Sequence, residues 1–424
     1  MSQIPSILNY FFAFLSVYIQ VFFLISFFER RKDIVIRKDT DLIKLKRYPS
    51  VSVVVPCYNE SKTIYGTVRS LLALDYPKSK LRIILVDDGS KDNTWELIQK
   101  FTKYPQVEAY HKENGGKHTA VNFALERITS EFIGGLDADS FVHPQALVRI
   151  MKTFEDDAEV MAVAPSIIVH QPKNILQKAQ KAEYDMAVYT KRMLAFLGAI
   201  HVTPGPFSIF RKKVFDDLGP YRKAHNTEDQ EIALRMQEAR YKIDHCPDAY
   251  VFTMSPNTVG KLYRQRLRWI YGFIKNAFDY RRLIFRKKYG LIGIFTIPSG
   301  FVSVFSVIFI CGLLVYNFGA YIAAKIEEIK TIGFHFNSGL PHFDWFFINT
   351  KAIMFVSLLL YAMVITALLL GRRMAEGRYR ISVDVFYFVI VYSLIAPFWL
   401  LRAVWNALWS KESSWTAERR VTIN

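Results

Sequence analysis

The feature that most constrains this chain is the placement of its long apolar runs. Residues 4–28 pass without one charged side chain. Residues 289–324 are apolar and aromatic, interrupted only at Pro298-Ser299-Gly300, and residues 352–370 and 383–401 are two further apolar stretches. About 20 such residues reach across the hydrocarbon of a bilayer. The net charge of +17 is therefore confined to the segments between the runs. No Lys or Arg precedes the first run and Glu29-Arg30-Arg31-Lys32 follows it, the reverse of a secretory signal. The positive-inside rule then predicts an N-terminus outside and a cytoplasmic chain from residue 29 onward.

The same rule makes residues 29–47 a charged linker along the headgroups, 325–351 an outer polar segment, and Arg372, Arg373, Arg378 and Arg380 the mark of an inner loop. At the C-terminus two signals conflict. Alternation puts the tail outside, whereas Arg402, Lys411, Arg419 and Arg420 argue for inside. Either the tail is external, or an apolar stretch around Pro298 or Pro397 is re-entrant. The three cysteines, Cys57, Cys246 and Cys311, are far apart in sequence and form no CxxC or Cys/His cluster. Neither a zinc site nor a disulfide framework is indicated, which fits a reduced, cytoplasmic soluble part.

Between the first and second runs the pattern changes. Val51–Val55 is a β-branched run closed by Pro56, Ile83–Val86 ends in Asp87-Asp88-Gly89-Ser90, and Val107–Tyr110 and residues 132–136 follow. Helical periodicity fills 63–72 and 92–101, and a helix opens at Gly115-Gly116-Lys117. Alternation of this kind predicts an α/β domain with a mostly parallel sheet and helices on both faces. Its polar strand ends gather at one edge, where open α/β sheets bind ligands. Further on come a strand at Val160–Ala164, a helix over 174–197, and a rigid turn at Pro204-Gly205-Pro206. Residues 257–288 carry ten Lys/Arg against one acid, interleaved with Leu262, Leu267, Trp269, Ile270 and Phe273. That composition reads as an amphipathic segment in a membrane interface.

Several loops carry chemistry, each with a plainer alternative. Asp137 and Asp139 repel unless a cation lies between them, and an all-oxygen pair suits Mg2+ or Mn2+; taken alone they also make an Asp-rich turn. Pro56-Cys57-Tyr58-Asn59-Glu60 offers an aromatic and a carboxylate to a base, or is a strand-to-helix turn. Asp87-Asp88-Gly89-Ser90 is equally a capped turn. Lys117 after two glycines can meet a phosphate, but the spacing is not that of a Walker loop, and no Gly-x-Gly-x-x-Gly is present. Thr227-Glu228-Asp229-Gln230 fits a capping box. It also offers Asp229, with Glu228 beside it, as a base, provided burial offsets the pull of the helix N-terminus. Arg268 can grip a diphosphate and Trp269 can stack on a sugar. Arg266, Lys275, Arg281 and Arg282 read as headgroup anchors.

In this order, Pro-Cys-Tyr-Asn-Glu, Asp-Asp-Gly-Ser, Gly-Gly-Lys, Asp-Ala-Asp, Thr-Glu-Asp and Gln-Arg-Leu-Arg-Trp resemble the processive, membrane-embedded branch of the family-2 glycosyltransferases. That branch holds the cellulose, chitin, hyaluronan and poly-N-acetylglucosamine synthases. The resemblance covers residues 48–288 by motif and the flanking runs by architecture. It implies a glycosyltransferase A-type fold inserted between transmembrane helices, and a UDP-sugar donor, UDP-N-acetylglucosamine first. Pro56, Tyr58, Glu60, Asp87, Asp88, Lys117 and Asp137 would bind the donor, and Asp137 and Asp139 would hold the metal. Asp229 and Glu228 would be catalytic, and Gln265, Arg268 and Trp269 would hold the diphosphate and the acceptor.

The implied product is a β-linked polysaccharide, made by an inverting enzyme of the plasma (inner) membrane and carried out through the spans, with accessory export subunits as possible partners. Two other readings stand beside it: transfer of one sugar to a polyprenyl-phosphate or lipid, and a non-catalytic export scaffold. Nucleic acid is not an expected partner, since the basic residues cluster beside apolar spans. Thr203-Pro204-Gly205-Pro206-Phe207 lies where such enzymes place the acceptor, in a form that maps to no substrate. The expected organisation is a transmembrane helix over 1–28, the linker over 29–47, a cytoplasmic domain over 48–256, interfacial helices over 257–288 and a membrane region over 289–424.

Overall fold

The computed structural model describes residues 4–41, 43–333 and 352–409. The first apolar run is one helix, α1 (Ile4–Arg30). The charged linker that follows makes specific contacts with the domain. The Arg37 amide and guanidinium bond Asp248 at 2.9 and 3.1 Å, and the Lys46 amide bonds Glu155. Asp39 pairs with the buried Arg149 at 2.9 Å. An unpaired guanidinium inside the domain would be costly, so the linker is drawn in to neutralise it.

The domain then alternates β1 (Val51–Cys57), α2 (Ile64–Leu72), β2 (Leu81–Asp87), α3 (Thr94–Gln99), β3 (Val107–His111), α4 (Lys117–Leu125) and β4 (Phe132–Gly135). It continues with β5 (Ser140–Val142), α5 (Ala146–Asp156), β6 (Val160–Val169), α6 (Ile175–Phe196), β7 (Ile209–Arg211), α7 (Lys213–Leu218), α8 (Glu228–Glu238) and β8 (Lys242–Thr253). The strands form one sheet in the order β3-β2-β1-β4-β7-β6-β8-β5. β3, β2, β1 and β4 are parallel, β7 lies antiparallel between β4 and β6, and β5 is antiparallel to β8. The chain winds outward from β1 through β2 to β3, then returns to β1's other side with β4. That reversal opens a crevice beyond the C-terminal ends of β1 and β4.

Side chains alternate between the faces of β1. Val51, Val53 and Val55 join a core with α2 and α5, whereas Val54 joins a second core with α4, α6 and α8. The second core also takes in Phe23 of α1 and Phe295, Ala367 and Leu370 of the apolar C-terminal region.

The basic segment forms α9 (Val259–Asp279). Its apolar face meets protein: Leu262, Tyr271, Ile274 and Ala277 are buried, and Ile270 and Phe273 pack beside Ala403. Arg266 is not a headgroup anchor. It is buried, pairs with Glu183 of α6 at 2.5 Å and lies 4.2 Å from the Trp269 ring centroid. The apolar region forms α10 (Ile297–Ile332), α11 (Ala352–Glu376) and α12 (Asp384–Leu408). With α1 these make four helices long and apolar enough to cross a membrane. α10 continues through residues 325–332, which the sequence assigned to an outer polar segment; the remainder of that segment and Lys411, Arg419 and Arg420 fall outside the described residues. Pro298 starts α10 and Pro397 lies within α12, so neither described stretch doubles back. Arg372 is not in a loop either. It is buried in the last part of α11, 3.1 Å from Asp185 of α6 and bonded to Asp384 of α12.

Candidate active site

The Asp-Ala-Asp segment follows β4 directly at the crevice. Lys117, the first residue of α4, puts Nζ 2.6 Å from Asp137 Oδ1 and 3.4 Å from Glu228 Oε1. Burial opposes the charge on Lys117, but Asp137, Glu228 and Asp229 outweigh it and hold the ammonium protonated. Pro56, Lys117, Asp137, Glu228 and Asp229 line one narrow pocket, closed over by Thr203, Pro204 and Gly205. A Cβ on Gly205 would stand 2.7 Å from Lys117 Nζ, so any larger residue there would have to push the lysine aside from its present position.

Asp139 has a different environment. Burial first, then the Asp137 charge, pushes its carboxyl up to about 6, against a hydrogen bond from Ser140 Oγ at 3.0 Å. It forms no ion pair among the described residues. Burial, with Asp139 and Asp137 adding, likewise raises Glu60 to about 7 although Thr63 Oγ1 donates to it at 2.7 Å. Two neighbouring carboxylates, one paired with Lys117 and one without a cation, fit a hard divalent ion. No group of three or more His, Cys, Asp or Glu is poised as a metal cage among the described residues. Most ligands of such an ion would therefore have to come from a bound diphosphate or water.

Asp229 sits in the first turn of α8. Burial and then Glu228 raise its carboxyl above the ordinary range, opposed by Lys117 and Arg268. This supplies the offset to the helix N-terminus that a base at this position requires. The expected capping box is absent. Thr227 Oγ1 donates to Ala224 O at 3.0 Å and accepts from Asn276 Nδ2 at 2.9 Å, and Gln230 is buried toward the same asparagine. α9 thus holds the Thr227 side chain, turned away from the α8 amides, through Asn276. Gly272 makes this possible, because a Cβ there would overlap the Thr227 side chain.

The remaining candidates are placed less uniformly. Tyr58 and Glu60 follow β1, half-buried, and Asn59 links that loop to the next by accepting from the Lys91 amide. Asp87 and Asp88 are not on a free surface. His111 Nδ1 lies 2.6 Å from Asp87 Oδ2, and Asp87 Oδ1 is buried without a partner. Asp88 is spent on Lys112 at 2.6 Å and on the Gly115 and Gly116 amides, so it shapes the glycine turn that presents Lys117. On α9, Arg268 donates to Asn226 O at 2.9 Å, tying that helix to the loop before Asp229. Gln265 Oε1 is buried without a partner and Trp269 is partly exposed. The sequence reading placed Thr203 in the acceptor region but gave it no part at Asp229, whose carbonyl it bonds through both its amide and hydroxyl, and it did not single out Tyr221, half-buried against the pocket. Their roles depend on contacts across 26 and about 100 residues of chain, which no local pattern signals.

A mixed sheet with a carboxylate-lined crevice at its switch point, joined to four membrane-length helices, defines a membrane protein with the glycosyltransferase A-type fold. Residues 52–219 match the family described as Glycosyl transferase family 2. Poly-beta-1,6-N-acetyl-D-glucosamine synthase of Staphylococcus epidermidis is 33% identical over 224 residues, 52% of this chain and 54% of the relative. The synthase of the same name from Staphylococcus aureus strain COL is 31% identical over 262 residues, 61% and 63% of the two chains. The match thus spans less than two thirds of these relatives. A solved mannosyltransferase from Pyrobaculum calidifontis, in complex with GDP-Man and Mn2+, shares the fold over 95% of this chain and all of its own. Its TM-score is 0.56 at 16% sequence identity.

Proposed function

We propose that this protein is a membrane-bound inverting glycosyltransferase that polymerises sugar from a UDP-sugar, UDP-N-acetylglucosamine first, into a β-linked glycan. The observation that carries the reading is the convergence of Lys117, Asp137, Asp139 and Asp229 at the β1/β4 crevice, beside a helix that packs on the membrane spans. The names of the two synthases support the sugar and the polymer.

Pro56, Tyr58 and Glu60 bind the nucleotide, while Asp87 and Asp88 behind them hold the loops in place. Asp137 and Asp139 hold Mg2+ or Mn2+, which supplies charge neutralisation for the leaving diphosphate. Asp229, with its raised carboxyl and Glu228 adjacent, takes the proton from the acceptor hydroxyl as that oxygen bonds the anomeric carbon. The bond from that carbon to the diphosphate breaks with its electron pair on UDP, and the configuration inverts. Lys117, held protonated by the surrounding carboxylates, would meet the diphosphate. Gln265, Arg268 and Trp269 hold the diphosphate and the terminal acceptor sugar, with Trp269 as a stacking face. The domain lies on the cytoplasmic side, and the spans provide the exit.

The test is purified protein with UDP-N-acetylglucosamine, UDP-glucose or UDP-glucuronate and either ion, measuring UDP release and product length beside Asp229→Asn. A long product from one donor, absent in the variant, is the expected result. A single sugar added to lipid would replace polymerisation with single transfer. Absence of UDP release from folded protein with every donor would overturn the reading.

A further inference from the structure

A cavity of about 500 Å³ lies away from the sheet edge, where the domain meets the spans. Its wall takes Arg30 from the end of α1, Lys288 from the turn that leads into α10, Arg192 and Phe196 from α6, and Arg240 and Lys242 from the junction of α8 and β8. None of the residues of the crevice pocket lines it. One apolar span ends beside Arg30 and another begins a few residues after Lys288, so the cavity lies at the depth where hydrocarbon gives way to headgroups.

Its electrostatics are uneven. Three cations are matched within the wall: Arg192 pairs with Asp244 at 2.7 Å, Lys242 with Asp157 at 2.5 Å and Arg30 with Asp33 at 3.4 Å. Arg240 and Lys288 form no ion pair among the described residues, which leaves two positive charges in excess. Arg192 Nε is buried without a hydrogen-bond partner. Phe196 lies under both the Arg192 and Arg30 guanidinium groups, 4.2 and 5.6 Å from its centroid, and fixes them at the wall. Arg240 follows the end of α8 with φ +58°, a left-handed position that glycine takes without strain. An arginine there costs backbone strain, and its charge adds to the cavity.

We propose that this cavity binds the phosphate of an anionic phospholipid headgroup from the leaflet that α1 and α10 enter, with Arg240 and Lys288 supplying the unmatched charge. The size is that of a ligand site, and basic pockets beside spans are where anionic headgroups settle. The inference rests on the membrane helices and not on the sugar chemistry.

The test is native mass spectrometry of the full chain purified from nanodiscs of equal phosphatidylglycerol and phosphatidylcholine. Wild type should retain phosphatidylglycerol at least about 10-fold over phosphatidylcholine, by roughly the electrostatic worth of two charges at such a surface. Arg240→Gly combined with Lys288→Gln should lose that preference. Arg240→Gly suits its backbone position, so a thermal midpoint at or above wild type will show that the loss is not unfolding. Arg286→Gln, a nearby exposed arginine outside the cavity, should leave retention unchanged. Equal retention by the double variant, or an equal loss in Arg286→Gln, would overturn the site. Release of the lipid by 10 mM inorganic phosphate would assign the cavity to a soluble anion and overturn the lipid source.

Discussion

Asp139 is held in a state that suits function and works against stability. Its carboxyl titrates at about 6 in the fold against an ordinary value of 3.8. Between those values the folded chain binds more protons than the unfolded one, so its contribution falls as pH rises through that window and the full cost is present above it. Asp139→Asn should therefore stabilise cation-free protein at pH 7.5 by on the order of 1–3 kcal/mol and give no gain near pH 4. Thermal melts at the two pH values check this. The same variant should cut transfer by at least about 100-fold, and Mn2+ affinity of the wild type should fall below about pH 6 as Asp139 protonates. At this scale the motifs were legible: Lys117, Asp137, Asp139 and Asp229 are where their spacing implied. Asp88 was not, because a carboxylate that builds a turn and one that binds a ligand have the same signature in sequence. Gly205 was read as part of a turn, and its approach to the Lys117–Asp137 pair arises only on folding. Gly205→Ala should displace that pair and raise the donor KM about 10-fold or more, read by steady-state kinetics.

Among the elements, α9 has an unexpected part. It was read as an amphipathic segment in the membrane interface, yet it donates to Thr227 at the start of α8 through Asn276, anchors the preceding loop through Arg268 and abuts Thr227 at Gly272. Gly272→Ala inserts a methyl group into the Thr227 side chain. It should cost about 1–3 kcal/mol in stability and lower kcat by about 100-fold with little change in donor KM, since Asp229 moves while the crevice floor does not. Denaturant melts and kinetics together decide it. The parallel strands were readable from unbroken β-branched runs such as Val51–Val55. β5 and β7 were not, because three residues are too short to show a period. Residues 325–332 were read as the start of an outer polar segment from Lys325, Glu327 and Glu328, and their place in α10 was not foreseen because polarity does not stop a helix.

Across the whole molecule, α6 joins the sheet to the spans by two buried polar ties. Glu183 meets Arg266 and Tyr392, and Asp185 meets Arg372, which also bonds Asp384. Arg372→Met would leave Asp384 buried without its cation and Asp185 with Lys181 alone. It should lower stability by about 3–5 kcal/mol, measured by thermal unfolding in detergent, with Asp384→Asn in the same background recovering part of the loss. No sequence pattern pairs residues 185, 372 and 384; the charge counts that made Arg372 a topology signal were blind to its partners. The core shared by the sheet and the spans has a further consequence for anyone handling the protein. Val54 of the central strand belongs to the same packed cluster as Phe23, Phe295 and Ala367 of the apolar helices. The catalytic half is therefore not a cassette that can be cut away at residue 288 and studied in water. Severed, it would present a broad oily face and clump, and a usable soluble version would need that face redesigned before any of its chemistry could be examined.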